Sequence, residues 1–204
     1  EMWPRYGSFP GFNPIVELSL SFHNLVVGCN GQRQAMFLEN ASGLAEQILR
    51  NFELSEKDTA LVISSSGCNR VPIEMAELFQ KQGIKVVALV SKLHSNASKT
   101  KDTRGKKLSD FADLILDTGA PVGDAMIDIQ GLDTPVSPGS TLGGCLVINS
   151  IKAEVAQRLT DAGQPPKVLT AGAVIGAERA TEIFQAAYDE HGRRLSRYYA
   201  TLGI

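Results

Sequence analysis

Three short, mostly apolar runs constrain this chain more than any other feature: DTALVISS at 58–65, GIKVVALVS at 83–91 and FADLILDTG at 111–119. Nearly continuous apolarity, in place of strict alternation, marks strands covered on both faces. Between the first two runs, Val71–Gln82 carries apolar residues at helical spacing. Strand, helix and strand in that order predict a doubly wound parallel sheet. DAMIDIQG at 124–131 reads as a short fourth strand at an edge, and Pro14–Phe22 as a short strand running into a loop. Helical spacing also predicts helices over Gln32–Phe52 and Ser140–Ala162, the latter apolar for nearly two turns and then amphipathic. From Pro165 the chain reads as loop, then as a helix from about Gly176 to Leu202.

With 204 residues, 43% of them hydrophobic, the chain suits one α/β domain over 1–204, with a helical tail from about 165. A formal net charge of −2 points to no nucleic-acid or anionic-membrane partner. Three scattered cysteines without a CxxC pair argue against a disulfide framework or structural zinc, and for a reducing cytoplasm. None of the three histidines stands at ligand spacing with a cysteine or carboxylate, so neither metal nor other cofactor is expected. No run of about 18 apolar residues predicts a membrane span. The opening, EMWPRYGSFPGF, is an aromatic and proline-rich loop without a preceding strand, which predicts that an N-terminal element is missing.

The junction after the first strand carries the chemistry. In open α/β sheets, ligands sit outside the carboxyl ends of the strands. The following helix presents unpaired N–H groups and about half a positive charge there. Ser64, Ser65 and Ser66 add hydroxyl donors, and Gly67 removes a Cβ that would block an anion. Asn69 can cap the helix, and Pro72 fits its first turn. An ordinary capped turn needs only one serine, so the run reads as an oxyanion cradle. There is no GxxxxGK[ST] lysine and no GxGxxG, so a sugar phosphate is a better fit than a nucleotide. The basic loop Ser98–Asp110 reads as solvated, with phosphate contact as the alternative.

VISSSGCNRVPIEMAELFQKQGIKVVALVS resembles the core of the SIS (sugar isomerase) domain, in which a strand ends in I-S-x-S-G before a helix. The likeness extends through NPIVELSLSFH, DTGAPVGDA and STLGGCLVINSIKAEVAQRL to a bacterial branch labelled as phosphoheptose or sugar isomerases. It implies a three-layer αβα sandwich around a five-stranded, flavodoxin-like parallel sheet. It further implies homodimers or homotetramers with sites near subunit interfaces, and a first strand with a G-x-G-x-S loop ahead of residue 1. Cys68 and Arg70 depart from the pattern.

Aldose–ketose isomerisation needs a base that moves a proton between two carbons. Glu17, in the loop that such isomerases direct toward the sugar, is the expected base, with His23 assisting; the alternatives are a solvated carboxylate and a packed histidine. Substrate and phosphate contacts are expected from Ser64, Ser65, Ser66, Gly67, Cys68, Asn69, Ser91, Ser140 and Thr141, though Ser140 and Thr141 also suit a helix cap. Cys68 as a nucleophile lacks a nearby histidine base in sequence. Asp124 in the turn beside Gly123, an ordinary Glu154–Arg158 helix pair, and singleton His94 and His191, the latter solvated, complete the reading. The alternatives to an isomerase are a non-catalytic phosphosugar sensor and an amino-sugar-phosphate lyase or etherase.

Overall fold

The computed structural model describes residues 5–15 and 29–198. The chain forms two compact units, one of residues 16–144 and one of residues 1–15 with 145–204. In the first unit β1 (Thr59–Ile63), β2 (Lys85–Val90) and β3 (Leu114–Asp117) make a three-stranded parallel sheet in the order β1-β2-β3. Thr59 pairs with Lys85, and Val87 with Leu114, so the three strands end side by side. β2 is central and its Val86, Ala88, Leu89 and Val90 are buried, whereas β1 and β3 are half-exposed. The continuous apolar pattern is therefore explained best by β2, which has a strand on each side.

Helix α3 (Arg70–Lys81) packs against β1 and β2 through an apolar face that includes Ile73, Ala76 and Phe79, all buried. It follows α1 (Cys29–Leu38) and α2 (Leu44–Leu49). The predicted single helix over Gln32–Phe52 is thus two. Gly43 breaks it with φ +81°, a left-handed conformation that no helix can propagate. Glu74 of α3 holds the break by accepting hydrogen bonds from the Gly43 amide (2.9 Å) and the Ser42 hydroxyl (3.1 Å).

The short helix α4 (Lys92–Ala97) follows β2, and a 3₁₀ turn at Leu108–Phe111 precedes β3. β4 (Ala125–Ile127) pairs antiparallel with β5 (Val136–Pro138), so DAMIDIQG belongs to a separate two-stranded sheet and not to the edge of the parallel one. Only residues 118–124 separate it from β3. A parallel crossover needs about a dozen residues or more. Helix α5 (Gly139–Asp161) then begins at the end of β5, within a residue or so of its predicted limits. In the second unit, Gly7 and Ser8 bond to Leu169 (2.8 and 2.9 Å), and α6 (Gly172–Ile175) leads into α7 (Ala177–Tyr198).

Glycine at 143 is a packing requirement. A Cβ there would lie 1.9 Å from the Thr118 carbonyl oxygen, whereas one on Gly144 would meet nothing within 4 Å. We predict that G143A lowers the denaturation midpoint by at least the equivalent of about 2 kcal/mol, because backbone must move. G144A should raise it by up to about 1 kcal/mol through helix propensity. Urea unfolding of both variants checks the pair.

Candidate functional site

The parallel strands bring three loops to one end of the sheet. The serine loop continues β1: the Ser64 amide donates to Leu89 O (3.0 Å), and Ser65 O accepts from the Ser91 amide (2.9 Å). Gly67 turns the chain with φ +61° and is buried. A Cβ there would approach Leu108 Cβ at 3.2 Å and Val90 Cγ1 at 3.4 Å. Glycine is therefore needed for packing as well as for open approach.

The hydroxyls are half-buried and differently engaged. Ser64 Oγ accepts from the Gly67 amide and Ser66 Oγ from the Cys68 amide, both at 3.2 Å. An accepting hydroxyl keeps its own proton to donate. Ser65 Oγ is buried without a partner among the described residues. A buried, unsatisfied hydroxyl costs about 1–3 kcal/mol, so its persistence calls for an explanation. Cys68 is 3% exposed, with its thiol turned to the Ser66 carbonyl at 3.3 Å, so it fills the turn and is no accessible nucleophile.

Three helices start at this end of the sheet among the described residues, and their first turns differ. At α4, the Lys92 amide donates to Asp117 Oδ1 (3.1 Å) and the His94 amide to Ser91 Oγ (3.1 Å). Hydrogen bonds from the Gly119 and Lys92 amides hold Asp117 below the usual carboxylate range. At α5, Asp124 accepts from the Ser140 amide (2.6 Å) and the Ser140 hydroxyl (2.7 Å). Each of these starts has one amide held by an aspartate, while the Leu93 and Thr141 amides find no acceptor among the described residues. At α3, Asn69 makes no side-chain cap. Val71 N–H donates to Glu39 O (2.9 Å) and Pro72 has none to offer. The amides of Ser66, Asn69 and Arg70 find no acceptor among the described residues.

Several expected roles change as a result. Ser91 is fully buried, caps α4 and donates to Ala120 O at 2.6 Å, so its hydroxyl is engaged within the protein. Ser140 gives its amide and hydroxyl to Asp124 and closes the hairpin onto α5. Thr141 is exposed beside it. The Asn69 side chain does not cap α3, although its backbone has cap geometry. Glu17 and His23 lie outside the described residues. Glu154 pairs with Arg158 at 2.7 Å, as the spacing predicts. His191 is half-buried, not solvated, and burial lowers its pKa.

The basic loop is anchored, not merely solvated. Lys101 and Leu108 amides donate to Cys68 O and Gly67 O, both at 2.9 Å, and Leu108 is completely buried. Lys107 Nζ bonds Ser95 O, and Arg70 bonds Lys101 O at 3.1 Å. Lys107 and Arg70 therefore help hold the basic loop to α4 and α3, a feature the charge pattern alone did not locate. Arg104 instead bridges Asp102 (2.7 Å) and Glu77 (2.9 Å).

Two clefts of about 250 and 160 Å³ lie in the second unit. The larger is lined by Lys167, Glu190 and Arg194, whose charges pair with one another at 2.6 and 2.8 Å. Both cations there are held by the one Glu190 carboxylate, which leaves the three groups a net charge of +1.

Residues 1–91 match the model of the SIS domain, a segment that contains β1, the serine loop, α3 and β2. A UPF0309 protein of Listeria innocua is 31% identical over 195 residues, covering 96% of this chain and 75% of the relative. A second, from Halalkalibacterium halodurans, is 35% identical over 178 residues, covering 87% and 71%. The chain belongs to the UPF0309 family of SIS-domain proteins.

The Glu77–Arg104–Asp102 bridge yields a pH prediction. Hydrogen bonds from Arg104 hold the pKa of both carboxyls low. Depressed carboxyl pKa values stabilise the fold above the unfolded-state value, about 4, and that stability is lost as pH falls through the folded value. Between about pH 5 and 2 the wild type should lose more unfolding free energy than R104M, measured by urea melts. Parallel pH profiles would show that the bridge is inert.

Proposed function

We propose that this protein binds a phosphorylated sugar at the serine turn and isomerises it between aldose and ketose. The phosphate rests on the amides of Ser66, Asn69 and Arg70 and the hydroxyls of Ser64, Ser65 and Ser66. One observation carries this reading: among the described residues, α3 is the helix start at the carboxyl end of the sheet that lacks an aspartate and sets amides without an acceptor beside a buried, unpartnered hydroxyl. A helix start with small residues and open N–H groups suits an anion held without Mg²⁺. Arg70 and Lys107 add positive charge. The SIS-domain match over this segment supports a phosphosugar as the anion.

Glu17 is the proposed base and His23 its partner. The proposed complete fold is one SIS domain, an αβα sandwich with a five-stranded sheet, assembled as a cytoplasmic homodimer or homotetramer. Among the described residues, no helix is long and apolar enough to cross a membrane.

Thermal shift against glucose 6-phosphate, arabinose 5-phosphate and sedoheptulose 7-phosphate tests binding. A ligand at a hundred times its Kd adds about 2.7 kcal/mol, which raises Tm by roughly 5–10 °C for a chain of this size. The unphosphorylated sugars should give none of this, and S64A/S66A should weaken binding about tenfold or more. Equal shifts with unphosphorylated sugars would contradict the phosphate assignment. Exchange of the C2 proton into deuterated water separates catalysis from sensing, and E17Q should abolish it. Binding without exchange in the wild type would favour a sensor.

A further inference from the structure

The motif DTGAPVGDA is left unexplained by the phosphate site. Its Gly123 has φ +81° and its Asp124 φ +67°, so two consecutive residues are left-handed and the second is not glycine. Such a conformation costs of order 1 kcal/mol or more and persists only where its surroundings enforce it. Here they do so at both ends. Asp124 is held by Ser140, and its carbonyl accepts from the Gly139 amide at 2.7 Å. The Gly123 amide points the other way and donates to His94 Nδ1 at 3.1 Å.

His94 is consequently pinned at two points. Its own amide is bound by Ser91 Oγ, and its ring by Gly123. With Nδ1 accepting, the proton of the neutral ring sits on Nε2. The ring is half-buried, and Nε2 has no partner among the described residues. The residue belongs to the first turn after β2. That turn is tied to the serine loop through the Ser91–Ser65 bond, and the neighbouring Ser95 Oγ would stand 3.8 Å from a Cβ on Gly67.

Resting on the phosphosugar reading, we propose that His94 is a ligand-binding residue whose Nε2–H donates to an oxygen of the sugar, beyond the phosphate. The strained Gly123–Asp124 turn is the device that fixes its tautomer. The role belongs to specificity: phosphate is held by the serine turn, and His94 reads the group attached to it.

The test uses the full chain and whichever sugar phosphate of the panel shifts Tm most, with inorganic phosphate alongside. H94N can keep the Gly123 contact through its side-chain oxygen while losing the Nε2–H donor. Calorimetric titration should show sugar-phosphate affinity about fivefold to tenfold weaker in H94N, with inorganic phosphate unchanged and Tm preserved. In ¹⁵N-detected histidine spectra of the wild type, His94 should carry its proton on Nε2, and that signal should move with the sugar phosphate. Equal affinities of H94N and wild type, equal weakening for both anions, or an Nδ1–H tautomer would each overturn the proposal. Should H94N fail to fold, the wild-type spectra decide alone. A wild type that binds none of these anions would instead remove the phosphosugar reading, and this proposal with it.

Discussion

The turn at Gly67 is where the sheet, the helix and the basic loop are joined. Its left-handed backbone takes the chain out of β1 and into α3 within a few residues. Its carbonyl receives the Leu108 amide, and its missing side chain leaves room for Leu108 and Val90. Any Cβ would press on both buried residues at once. The same junction ties the basic loop to the turn, with Lys107 bonded to Ser95 O and Arg70 to Lys101 O.

From there the electrostatics of the sheet end are arranged by exclusion. Parallel strands place several helix starts together, and each start attracts negative charge. Asp117 and Asp124 supply that charge within the protein at α4 and α5. They also position loops, since each carboxylate accepts two hydrogen bonds from segments distant in sequence or from its own turn. The start of α3 is left to serine hydroxyls, which donate and accept and so can serve either the protein or a ligand.

Much of this was legible in the sequence, for identifiable reasons. β2 has a strand on each side, so its apolar run was unmistakable, and the three serines with glycine marked the loop that follows β1. The α1–α2 break was hidden because apolar spacing continues across Gly43, whose left-handed backbone and tie to Glu74 depend on tertiary contact. DAMIDIQG read as an edge strand of the sheet, although a count of residues after β3 already forbade a parallel crossover. Ser91 and Ser140 carry the right functional group at the right end of the sheet, yet Ala120 and Asp124 had no signal in the sequence as their partners. An isolated histidine belongs to no motif, so His94 carries no functional signal in the sequence. Its role rests on a bond to Gly123, 29 residues away.

The central claim is that free amides at the start of α3 form an anion site. Backbone amide spectra recorded during titration with inorganic phosphate test it most directly. The account predicts saturable shifts centred on Ser66, Asn69 and Arg70, with the α4 and α5 starts unmoved. Saturable shifts centred on α4, α5 or the second unit, or no saturable shift at all, would contradict it.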